Sequence, residues 1–279
     1  MPELPEVETI CRGLHGRLAG QTLIRVTVHN RSLRMPIPAQ FEQTLVGRKV
    51  ERVERRAKYM LLHLDDGGVV IGHLGMSGRM YVKTEKFSPR DRKPHDHVIM
   101  ETQERLTVIF HDPRRFGLLV LGRADTLAQH DLLKKLGPEP LAADFTATKL
   151  RTSLEKRPRS PLKAALLDQT VVAGLGNIYV SEALHRAALS PERLAGTVTK
   201  AEASRLCKAI RDVLKDALES GGSTLRDYVQ ADGEVGSFQN RFRAYDRDGQ
   251  RCPRSGCCGV IKRVVQAGRS TYFCPVCQK

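Results

Sequence analysis

Between Glu6 and Ala19 the apolar residues Val7, Ile10, Leu14 and Leu18 recur at helical spacing, and Gly20 offers a stop. One face of that segment is dry and the other wet, which predicts a helix packed by a single side. From Gln21 to Leu121 the pattern changes to short runs rich in Val, Ile and Leu, broken at Asp65-Asp66-Gly67-Gly68, Lys86–Pro94 and Gln103-Glu104. Leu23–Val28 alternates with period two, and Val69-Val70-Ile71 and Leu118–Leu121 read as fully buried strands. The expectation is an antiparallel β-sandwich with the N-terminal helix lying beside it.

The character of the chain changes around Leu136–Pro161, where Gly137-Pro138-Glu139-Pro140 and Lys156–Pro161 mark a boundary. Helices are expected over Leu162–Asp168, Ile178–Ala188 and Thr199–Glu219, with a tight turn at Gly174-Leu175-Gly176. For the last helix Thr199 and Glu202 form a capping box, Leu206, Ile210, Val213, Leu214 and Leu218 line one face, and Gly221-Gly222 ends it. Ala231–Ser237 has no periodicity and reads as a flexible loop. Val260–Val265 and Ser270–Phe273 then form a hairpin turning at Gln266-Ala267-Gly268-Arg269. The chain is therefore α+β, in three expected parts: a sandwich over 1–135, a helical domain over 136–238 and a small hairpin domain over 239–279.

Composition narrows the partner. A net charge of +15 over 279 residues implies a polyanion, nucleic acid before any other. No stretch approaches the roughly 18–20 continuous apolar residues of a membrane span. Glu3, Glu6 and Glu8 sit where a signal peptide would carry cations, so a cytosolic setting is expected. Five of the seven cysteines crowd into residues 252–277. In a reducing compartment, Cys252 and Cys257 followed by Cys274 and Cys277 suit one tetrahedral, structural zinc ion with no open position for catalysis. Cys258 competes with Cys257 for the second place, although only Cys257 keeps sixteen residues before Cys274. Cys11 and Cys207 lie on apolar helix faces and read as core.

Candidate chemistry gathers at the N-terminus. Once Met1 is trimmed, Pro2 becomes a secondary amine, and a terminal amine titrates near about 7.7–8.0 against about 10.4 for lysine. Schiff-base chemistry is open to it, with Glu3 as an acid or base and Glu6 as a holder of either. The same residues also suit the plain start of a helix, with acids in its first turn. Lys58, behind two arginines, reads as part of a solvated basic cluster on its residues alone. Phe116, in Pro113-Arg114-Arg115-Phe116-Gly117, is poorly placed for a core and suits a probe inserted between bases. Asn177, where a glycine turn meets a helix start, suits an N-cap or a phosphate clamp, with Arg159 and Lys163 adding charge upstream. Arg269, at the tip of a cationic hairpin, suits a phosphate grip.

The opening MPELPEVET, followed in order by Arg56–Tyr59, His73–Gly78, Asp112–Gly117, Gly174–Tyr179 and the four-cysteine tail, resembles the formamidopyrimidine-DNA glycosylases over nearly the whole chain. The resemblance implies an enzyme that excises oxidised purines from damaged double-stranded DNA, acting as a monomer without a diffusible cofactor or a membrane. It implies catalytic roles for Pro2, Glu3, Lys58 and Arg269, DNA contacts at His95, Arg114, Arg159 and Asn177, and a wedge of Met76, Arg114 and Phe116. DNA would lie between the sandwich and the helical half, and the loop around Ala231–Ser237 would close over the everted base. The four residues between Cys252 and Cys257 depart from the two more usual in the family. Two rival readings are an endonuclease-VIII-like glycosylase for oxidised pyrimidines and a non-catalytic zinc-ribbon protein binding nucleic acid by charge. The former resembles Pro-Glu-Gly-Pro where this chain has Pro2-Glu3-Leu4-Pro5, and the latter leaves Pro2-Glu3 and the wedge without a purpose.

Overall fold

The computed structural model describes residues 1–85, 87–223 and 236–279. The chain divides into two compact units, residues 1–134 with 220–237 and residues 135–219 with 238–279. The loop expected at Ala231–Ser237 lies outside the described residues over 231–235.

In the first unit α1 (Leu4–Leu18) begins two residues earlier than its apolar spacing suggests, because Glu3 caps it and Pro5 suits the first turn. It buries Val7, Ile10, Cys11, Leu14 and Leu18. After β1 (Leu23–Val28) and the short α2 (Phe41–Leu45) come β2 (Val50–Arg56), β3 (Tyr59–Leu64) and β4 (Gly68–His73). The unit continues with β5 (Arg79–Lys83), β6 (Asp96–Thr102), β7 (Thr107–His111) and β8 (Leu118–Arg123). Two four-stranded sheets result, in the orders β1-β6-β7-β5 and β2-β3-β4-β8, and every pairing is antiparallel. One core joins the apolar face of α1 to Val26, Met80, Met100 and Phe110 of the first sheet and to Val53, Leu62, Val70 and Leu119 of the second, so the expected sandwich and its flanking helix are present.

The alternation over Leu23–Val28 is not strict. A bulge between Leu23 and Arg25 buries both Leu23 and Val26 and leaves Ile24 53% exposed. One extra residue on a bulged strand reverses the face of everything after it, so period two fails there.

The second unit contains α3 (Ala147–Leu154), α4 (Leu162–Leu167), α5 (Asn177–Ala187) and α6 (Lys200–Glu219), followed by the hairpin β9 (Lys262–Gln266) and β10 (Arg269–Phe273). The capping box is made as expected: Thr199 N–H donates to Glu202 Oε2 at 2.9 Å and Glu202 N–H to Thr199 Oγ1 at 3.3 Å. Cys207 is buried on α6 and faces the Phe145 carbonyl. The hairpin turns on two residues, Ala267 (φ 47°) and Gly268 (φ 71°), a pair of positive φ values that matches the right-handed twist of the strands. Among the described residues no helix is long and apolar enough to cross a membrane.

Candidate active site

Glu3 and Glu6 close the start of α1 as a reciprocal capping box, in which the Glu3 N–H donates to Glu6 Oε2 at 2.9 Å. Both are buried, at 3% and 2% exposure. The other oxygen of Glu6 accepts the Ser223 N–H at 2.8 Å and its hydroxyl at 3.0 Å. Gly222, at φ +83°, makes that approach possible, since a Cβ there would lie 3.0 Å from Glu6 Oε1. Pro2, half-buried, stands directly before this locked turn, with Met1 48% exposed ahead of it. Helix start and candidate chemical site are thus one structure.

The turn from β2 to β3 passes through Ala57 at φ 54° and carries Lys58 inward to 6% exposure. Lys58 is therefore not part of a solvated basic cluster. Nearby His73, at the end of β4, is pushed down to about 4, chiefly by burial and further by the charges of Lys58 and Arg34. It is neutral near pH 7, and its Nδ1 accepts the Gly75 N–H at 2.9 Å.

That hydrogen bond opens the turn that presents Met76, which is 44% exposed, as is Phe116 on the loop after β7. A buried carboxylate joins the two segments: Asp112 Oδ1 accepts the Ser77 hydroxyl at 2.8 Å and Oδ2 accepts the Gly117 N–H at 2.8 Å. Gly75 (φ +61°) lies so close to Phe116 that a Cβ would come within 2.4 Å of its carbonyl carbon. Arg114 stacks over the Phe116 ring at 4.6 Å, a contact worth about 0.5–1 kcal/mol at an exposed site. Exposed His95, at φ 73°, is tied to the same segment, because its carbonyl accepts the Asp112 N–H at 3.0 Å. The structure thus gathers Met76, His95, Arg114 and Phe116 around Asp112, to which the sequence pattern assigns no role.

In the second unit Gly176, not Asn177, is the N-cap of α5. Asn177 is the first helical residue, and its amide Nδ2 donates to the Ser270 carbonyl at 2.9 Å. Lys163 does not add charge to an outer face beside Arg159. It is buried, with Nζ donating to Ser270 O at 2.8 Å and to Thr271 Oγ1 at 2.7 Å, while Arg159 is exposed. Arg269 stands exposed at the tip of the hairpin that these two residues anchor.

The Sγ atoms of Cys252, Cys257, Cys274 and Cys277 all lie within 4.8 Å of one another, and Cys258 is exposed outside the group. The pairs Cys252–Cys277 and Cys257–Cys274 are each 3.7 Å apart. A tetrahedron with zinc–sulfur bonds of about 2.3 Å has edges of about 3.8 Å, so these four residues would hold one zinc ion closed to substrate.

Three family descriptions match: the formamidopyrimidine-DNA glycosylase N-terminal domain over residues 1–119, its H2TH domain over 136–229, and the zinc finger found in FPG and IleRS over 249–279. The chain belongs to the formamidopyrimidine-DNA glycosylase family. It is 54% identical over 278 residues to the formamidopyrimidine-DNA glycosylase of Rhodospirillum rubrum, covering 98% of each chain. The Paracoccus denitrificans enzyme of the same name is 49% identical over 284 residues, with both chains covered completely. Among solved structures, the Lactococcus lactis Fpg in complex with DNA containing an abasic site superposes with a TM-score of 0.88 at 35% identity, covering 99% of each chain. The Thermus thermophilus MutM (FPG) protein gives 0.86 at 43% identity, covering 99% of this chain and 98% of its own.

Proposed function

We propose that this protein is a base-excision-repair enzyme of the bacterial cytosol that acts as a monomer on damaged duplex DNA. It removes 8-oxoguanine and formamidopyrimidines and then cuts the abasic strand. Residues 1–135 carry the chemistry, 136–238 the helical grip and 239–279 the zinc-closed finger. One observation carries the reading: half-buried Pro2 directly precedes a buried Glu3 whose backbone is locked onto Glu6.

With Met1 removed, the Pro2 nitrogen attacks C1′ of the damaged nucleotide, Glu3 protonates the opening sugar ring, and the base departs. A secondary amine leaves a cationic iminium, which acidifies the neighbouring C–H, so β- and δ-elimination cut the strand on both sides. Lys58 is the second amine beside this chemistry, and Arg269 grips a phosphate and assists the eliminations. Met76, Arg114 and Phe116 fill the gap left by the everted base, with His95, Arg159 and Asn177 on the phosphate backbone. Zinc bound by the four thiolates supplies only the fold of the finger.

Borohydride trapping on duplexes carrying 8-oxoguanine or an oxidised thymine tests the reading. A covalent adduct is expected with the trimmed protein, more readily on 8-oxoguanine, and none when a tag or retained Met1 blocks Pro2. A fully active blocked protein would remove Pro2 from its role, and preference for the oxidised thymine would move the enzyme to the pyrimidine-directed class.

A further inference from the structure

We propose that His185, near the C-terminal end of α5, is a positioning residue of the zinc centre, its Nε2–H donating to the Cys252 thiolate and holding that sulfur where the metal requires it. His185 is 1% exposed, and its Nε2 lies 3.3 Å from Cys252 Sγ. A zinc-bound thiolate has no proton to give, so a hydrogen bond between these atoms needs the proton on Nε2. Among the described residues Nδ1 has no hydrogen-bond partner, so nothing competes to place the proton there. Partners that orient metal ligands contribute about 10–100-fold in metal affinity.

The same contact gives a purpose to the lengthened first cysteine pair. Arg254, inside the four-residue spacer, donates from Nη2 to the carbonyl oxygens of His185 and Arg186. A guanidinium at the C-terminal end of α5 also meets the negative end of the helix dipole. From the second cysteine pair, Gln278 accepts the Cys274 N–H at 2.8 Å and donates to the Leu189 carbonyl at 2.9 Å, just past the helix. The zinc site is therefore built on the end of α5 as well as on the hairpin, and His185 is where the helix touches a ligand.

The test measures zinc release from the full-length zinc-loaded protein to a chromogenic chelator. His185→Leu should release zinc about 10–100-fold faster than the unaltered protein. His185→Gln, whose amide keeps a donor near the Nε2 position, should stay close to the unaltered rate. Cobalt substitution reads the sulfur directly: the thiolate-to-metal absorption should shift in His185→Leu and hold in His185→Gln. Equal rates for the unaltered protein and His185→Leu, or identical behaviour of the Leu and Gln variants, would refute the assignment. Should His185→Leu fail to fold, nitrogen NMR of the unaltered zinc protein decides alone. A proton on Nε2 supports the proposal, and a proton on Nδ1 overturns it.

Discussion

Glu6 accepts the backbone N–H of Glu3 through one carboxylate oxygen and both polar groups of Ser223 through the other. A glutamine there keeps one acceptor and turns an amide N–H toward a donor, leaving a buried group unsatisfied at about 1–3 kcal/mol. Glu6→Gln should therefore lower the unfolding midpoint. It should also slow base excision and abasic-site cleavage together, by about tenfold for every 1.4 kcal/mol that reaches the transition state. Loss of excision alone would mean that Glu6 serves Glu3 as an acid and not the whole Pro2–Glu3 turn.

Extrusion and chemistry separate in a second experiment. If Met76 and Phe116 offset unstacking, which costs a few kcal/mol for a paired base, Met76→Ala should slow excision of 8-oxoguanine opposite cytosine far more than cleavage at a preformed abasic site. Pro2→Gly should damage both. Asp112→Asn should follow the Met76→Ala pattern, because the carboxylate that joins Ser77 to Gly117 holds the two segments together. Equal loss on both substrates for Met76→Ala would leave the wedge without support.

His73 makes the Met76 turn sensitive to acid in a defined direction. Its native pKa lies near 4, below the ordinary value of 6.5, so unfolding takes up a proton between those two values. The contribution of the neutral ring to stability is complete above about 6.5 and declines as the pH falls toward 4. On protonation Nδ1 can no longer accept the Gly75 N–H. The Gly75 amide resonance should therefore titrate near 4; a midpoint near 6.5 would mean that burial and the Lys58 and Arg34 charges do not hold the ring neutral.

At the finger, Cys258→Ser should keep the zinc and Cys257→Ser should lose it, as read by metal analysis. Chelation should release one ion, weaken DNA binding and make its salt dependence shallower, by roughly one unit for each phosphate that the finger no longer grips. A metal-free protein with undiminished binding would contradict the structural role.

Much of the fold was legible because its signals are local. Thr199 and Glu202 are three residues apart and Gly221 and Gly222 adjoin the end of α6, so the caps could be read directly. The bulge in β1 was not, since a residue added on one strand shows only against the partner strand. At the site, motifs identified exposed residues better than the groups that hold them. Asp112 and Ser77 are 35 residues apart, His185 and Cys252 are 67 apart, and Lys163 reaches Ser270 across 107. Polar partners at such separations leave no periodicity, and a lysine that reads as surface charge proves to be an internal brace. Spacing favoured Cys257 over Cys258 but left the choice open, and the clustering of four Sγ atoms that leaves Cys258 exposed outside the group separates the two.

Helix α5 meets the ribbon at its two ends, through Asn177 on Ser270 and through His185 on Cys252. Asn177 and His185 are eight residues apart on the helix, about 12 Å along its axis, so the separation between the fingertip strand and the metal knuckle is set by a rigid gauge and not by a tether. The arginine at the tip thereby inherits a fixed reach. Removing the metal would leave every cation of the finger in the chain but free the strand from its measure. What such a protein loses first is its register along the phosphate backbone, while its attraction to DNA at low salt persists.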